Sequence, residues 1–96
     1  MITFETLIHE INVWTDNNDK GADRPWLDQV DEINRKLEAL EISIDSEKGA
    51  TVEEMMAMGN ALMALLVLCR QRKYQADTCL NMAFNKVKNQ TKTEKE

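Results

Sequence analysis

The side chains best suited to chemistry in this sequence are carboxylates: Asp28, Asp31, Glu32, Glu38 and Glu41 in one segment, and Glu53 and Glu54 at the start of the next. Acids on neighbouring helices are hard oxygen ligands that can clamp a divalent cation such as magnesium between them. Asp28, Asp31 or Glu32, and Glu38 share part of one helical face. The opposing segment offers no match, because residues 55–76 contain neither Asp nor Glu. A clamp between the helix middles therefore lacks half its ligands, and the acids of the first segment read more simply as a solvated face. Only displaced acids, Glu32, Glu38 and Glu41 with Glu53 or Glu54, would restore a metal site.

Nucleophilic chemistry has less support. The sequence has no Gly-rich phosphate loop and no G-x-S-x-G, and its single histidine, His9, has no obvious serine or cysteine partner. A lone histidine on an amphipathic helix is expected at the surface. Cys69 and Cys79 sit in apolar helical patterns without metal-ligand spacing, and read as buried free thiols in a reducing compartment. Seventeen acids against twelve bases give a formal charge of −5. That balance repels phosphate backbones and excludes nucleic acid as the expected partner. The densest basic group, Arg70, Arg72 and Lys73, falls at a helix end, where cations complement the dipole. Trp14 and Trp26 could stack on a base, but tryptophans at stripe positions belong by default to a core. Met55, Met56, Met58 and Met63 read as adaptable core or interface filler.

Four helices must position these groups. Phe4, Leu7, Ile8, Ile11 and Trp14 mark the first, which a polar stretch from Thr15 to Arg24 should end. Pro25 then occupies a first helical turn, and a second helix from Trp26 to Ile44 carries Val30, Ile33, Leu37 and Leu40 on one stripe. Gly49 is available for a left-handed turn, and Thr51 with Glu54 makes a capping box for the third helix. A fourth helix places Ala76, Cys79, Leu80, Ala83, Phe84 and Val87 on one face. The residues from Lys88 onward should fray. One all-α domain over residues 1–90 with a polar tail at 91–96 is expected, its helices antiparallel neighbours in a bundle.

The third helix is apolar almost all round from Met55 to Cys69, whereas a helix in water needs one apolar face. A second copy is expected to supply the missing cover, making a dimer or tetramer. Apolar residues make up 43% of the chain, enough for one core and an interface besides. The N-terminus reads as neither signal peptide nor membrane anchor, and the uninterrupted apolar run at 61–69 is too short to span a bilayer. A cytoplasmic protein without membrane contact is expected.

The order of these helices resembles the all-α nucleoside triphosphate pyrophosphohydrolases of the MazG type over nearly the whole chain. The first helix ending in Trp14, the polar break, and Pro25, Trp26, Leu27, Asp28 and Gln29 before a long helix are similar to that family's opening. Ala57, Met58, Gly59 and Asn60 ahead of an apolar run look like its E-x-G-D, and residues 77–88 look like its closing helix, with Asn85 at a position often near the nucleotide. The resemblance implies a four-helix MazG-like bundle packed with a second subunit. It also implies magnesium held by E-E-x-x-E on the second helix and E-x-x-D on the third, bridging a triphosphate.

At the matching positions this chain carries Arg35, Lys36, Ala39, Ala57 and Asn60, so the metal site is degenerate and the pyrophosphohydrolase activity is not expected to carry over. The expected function is that of an inactive relative acting as a binding module. It would be either a protein inhibitor or adaptor, or a holder of nucleotide without metal, using Arg35, Lys36, Asn60 and Asn85. No cofactor is expected; magnesium enters only if displaced acids make an active NTP pyrophosphohydrolase. Compact scaffolds stripped of their ligands point to a bacteriophage or mobile-element source. Small Ala57 and Gly59 suggest a close approach between two helices.

Overall fold

The computed structural model of the chain describes residues 2–19, 21, 23–44 and 47–94, with side chains as far as residue 90. Four helices follow one another: α1 Phe4–Asn18, α2 Pro25–Ser43, α3 Val52–Gln71 and α4 Ala76–Glu94. No strand occurs among the described residues. The protein is all-α, as its periodicity predicts.

Local signals set most of the boundaries. Thr3 Oγ1 accepts from the Thr6 N–H at the start of α1, and Thr51 Oγ1 accepts from the Glu54 N–H at the start of α3, at 3.1 Å in each case. Pro25 opens α2. Gly49 holds φ +70°, the left-handed conformation its position anticipates. Lys73, at φ +64°, takes the same conformation just after α3 and turns the chain toward α4. Two expected ends shift. Helix α1 runs on through Thr15 to Asn18, because the Thr15 hydroxyl donates to the Ile11 carbonyl and the Asn18 amide to the Trp14 carbonyl, each at 2.8 Å. Helix α4 continues to Glu94, through residues expected to fray.

Helix α3 is the centre of the packing, with α2 laid against it most closely and α1 beside it. Among the described residues the buried side chains are Thr15 on α1, Ile33 on α2, and Ala61, Ala64 and Val67 on α3. The two alanines let α2 come close. The close approach expected at Gly59 is not seen, since nothing lies within 4 Å of a Cβ placed there. Gln29 donates across this seam to the Ala64 carbonyl at 2.8 Å, and Arg72 lies 5.0 Å above the Trp26 ring. The start of α2 thus meets the end of α3, and the two form an antiparallel hairpin.

Helix α4 departs from the expected bundle. Its backbone comes near α3 alone, and only sparsely. Leu80, Met82 and Phe84 are 68%, 68% and 60% exposed. Met55, Met56, Met58 and Met63 on α3 are also exposed, so they are not core filler within one copy. The radius of gyration is 16.1 Å, against about 12.5 Å for a compact domain of this length.

As a complete helix, α3 is also long and apolar enough to cross a membrane, with a mean hydropathy of 1.6 in its most apolar part, 22% of which is buried. The shortness argument therefore applies to residues 61–69 and not to the helix. A core helix passes the same length and composition test.

Candidate functional site

The candidate site is the cleft along the α2–α3 hairpin, a cavity of about 580 Å³. That volume falls in the range of small-molecule sites. Helix α2 contributes Asp28, Gln29, Glu32, Arg35 and Lys36, on successive turns of one face. Helix α3 contributes Asn60, Met63, Ala64, Val67 and Gln71, and Trp14 and Asp19 close one end. Arg35, Lys36 and Asn60, which the sequence singles out together, do share this cleft. Asn85 on α4, Ala39 on α2 and Ala57 on α3 are outside its lining.

The electrostatics of the cleft centre on Glu32. Its Oε2 accepts from Arg35 Nη2 at 2.6 Å, and its Oε1 lies 3.3 Å from Lys36 Nζ. Hydrogen bonding from Arg35 and then Lys36 holds the Glu32 carboxyl below its ordinary range, while the same bond raises Arg35. Both cations are thus already engaged by one carboxylate. With Asp19 and Asp28 added, the lining carries three carboxylates to two cations.

The displaced acids are divided between the cleft and other surfaces. Glu32 lines the cleft, but Glu38, Glu41, Glu53 and Glu54 do not. Among the described residues no three His, Cys, Asp or Glu side chains come together as a metal-binding group.

Two expectations about aromatic and sulfur side chains are corrected. Trp14 is not core: it is 49% exposed and forms a wall of the cleft. Cys79 is exposed because α4 has little cover from its own chain, while Cys69 is half-buried, and desolvation pushes its thiol up.

Sequence reasoning missed three contributors. Gln29 ties α2 to α3 and lines the cleft. Gln71 also lines the cleft, and its Oε1 is buried without a hydrogen-bond partner. The third is Asp16, which takes a two-pronged contact from Arg70, with Nε to Oδ1 at 2.9 Å and Nη2 to Oδ2 at 2.6 Å. Arg70 therefore clamps α1 to α3 rather than serving the helix dipole alone. No spacing rule could reveal a pair 54 residues apart.

That clamp makes stability pH-dependent. The Arg70 hydrogen bond holds Asp16 below its ordinary value of 3.8, and Glu32 lies below 4.5. The unfolded chain therefore takes up these protons first. The stabilisation is complete above the unfolded values and is lost as pH falls through the lower folded ones. Urea midpoints should decline steadily in this acid range, and Asp16→Asn should flatten the decline. A wild-type midpoint that rises as pH drops would contradict the assignment.

Compared with protein-family models, characterised proteins and solved structures, the chain matches none.

Proposed function

We propose that this chain is a catalytically inactive binding module on a MazG-like helical scaffold, assembling with copies of itself and acting on a protein partner as an inhibitor or adaptor. The observation that carries the reading is the content of the α2–α3 cleft. Arg35 and Lys36 stand there paired to Glu32, where a magnesium clamp requires carboxylates free to coordinate. Positive charge at such a position opposes a divalent cation by direct Coulomb repulsion. Of the compensating acids Glu32 is engaged by these two cations, and Glu38, Glu41, Glu53 and Glu54 are outside the cleft lining. Exposed apolar side chains on α3 and α4 favour contact with other helices. We assign a cytoplasmic setting on the same footing, with α3 as a core helix between charged, amphipathic neighbours.

A second reading has its own support, because Arg35, Lys36, Asn60 and Trp14 line one cleft of suitable volume. It holds a nucleotide without metal through guanidinium and ammonium contacts to phosphate.

Titration calorimetry of nucleoside triphosphates with and without magnesium, beside a pyrophosphate-release assay, tests both. The binding module should show no turnover that a chelator abolishes and little nucleotide binding. Magnesium-independent binding that Arg35→Glu removes would establish the holder, and binding indifferent to Arg35→Glu would sink it. Steady pyrophosphate release sensitive to chelator would overturn both readings in favour of an active pyrophosphohydrolase using displaced acids.

A further inference from the structure

An uncovered apolar groove runs between α3 and α4, a cavity of about 800 Å³ walled by Leu62, Leu65 and Leu66 on one side and Leu80 and Phe84 on the other. Helix α1 adds Phe4 to its lining and α2 adds nothing, so the groove stays open. Its cost is visible in the total surface. The chain exposes 7975 Å², while a folded monomer of 11.1 kDa exposes about 5,700 Å². The excess over the whole chain, polar and apolar surface together, is about 2,300 Å². Two copies each hiding half of that excess would bury about 2,300 Å² together, and hiding all of it about 4,600 Å². Both values lie in the range of obligate homodimers, which bury about 2,000–5,000 Å².

The charges along α4 choose a direction. Asp77 stands in its first turn, its carboxylate accepting from the Thr78 N–H at 2.8 Å, while Lys86 and Lys88 lie in its second half. Antiparallel α4 helices set acid against base at both ends, whereas parallel ones stack lysine on lysine.

We propose that the groove is closed by α4 of a second copy, seated antiparallel across a twofold axis, so that Leu80 and Phe84 of each copy enter the other's groove beside Leu62 and Leu65. Such an isologous contact closes on itself and leaves no further surface to propagate. The inference rests on the self-association in the proposed function and is independent of what the α2–α3 cleft binds.

Sedimentation equilibrium of this chain over a wide concentration range should give twice the 11.1 kDa chain mass. The pair Leu80→Asp and Phe84→Asp should weaken the dimer by about a hundredfold or more, with helical circular dichroism retained. Should that variant unfold, charge exchange carries the test. Lys86→Glu with Lys88→Glu should weaken the dimer, and adding Asp77→Lys should recover part of the loss. A wild-type dimer indifferent to all of these substitutions overturns this surface while leaving self-association intact. A wild-type monomer at every concentration overturns both. Flotation of a monomer with phosphatidylcholine vesicles, lost on Leu80→Asp, would make the groove a lipid contact and equally overturn the proposal.

Discussion

Ile33→Ala should lower the unfolding free energy by about 3 kcal/mol and the Tm by about 12–24 °C at fixed protein concentration. Ile33 is the one buried apolar side chain of α2 among the described residues, 8% exposed. It fills the seam where Ala61, Ala64 and Val67 present small side chains. Truncation there removes most of the apolar anchor of α2 and leaves a void between rigid helices that can collapse only in part. A chain of this length has roughly 5–14 kcal/mol of stability in all, so one side chain carries a large fraction. Thermal and urea unfolding measure it directly. A loss below about 1 kcal/mol would mean that the hairpin is held by something other than this seam.

Glu32→Gln should expose the phosphate-binding capacity that the cleft holds in check. In the native chain Glu32 takes the charges of both Arg35 and Lys36, and its depressed pKa keeps it ionised at neutral pH. Replacing the carboxylate by an amide removes one negative charge and the anchor of both cations, leaving them to an incoming triphosphate. Affinity for a magnesium-free nucleoside triphosphate should rise roughly tenfold and fall again with added salt, because these groups are solvent-exposed. Calorimetry on the two proteins decides it. Equal affinities would show that Glu32 does not mask the cations, and the charge argument for a protein rather than a nucleotide partner would lose its basis.

These two outcomes bear on different parts of the molecule. Loss of Ile33 weakens the scaffold that places the cleft, whereas loss of the Glu32 charge alters the cleft with the scaffold intact. Circular dichroism of Glu32→Gln should therefore match the wild type.

The helices were legible in the sequence because their causes are local. Apolar spacing of three and four, a threonine cap at Thr51, a proline at the first turn of α2 and a glycine at position 49 each act within a few residues, and each appears in the structure where its pattern places it. The grouping of Arg35, Lys36 and Asn60 rested on the resemblance to the MazG type and not on any spacing rule; the three do line one cleft. The failures have an equally physical origin. Thr15 looks like a turn former, but its hydroxyl bonds back to Ile11 and burial against the neighbouring helix favours the extra turn. Trp14 and Cys79 carry the chemistry of core residues, yet core membership depends on what the rest of the chain sets opposite them.

Chain order and side-chain chemistry alone determined that this protein is four helices, that its second is charged and its third apolar on every side, and that carboxylates are missing where two helices meet. Tertiary structure alone decided which of those faces are covered. It paired both cations with Glu32, joined Asp16 to Arg70 and left α4 standing open. Helical periodicity is a property of neighbours within one turn; burial and ion pairing depend on segments tens of residues apart, whose meeting no short-range pattern encodes.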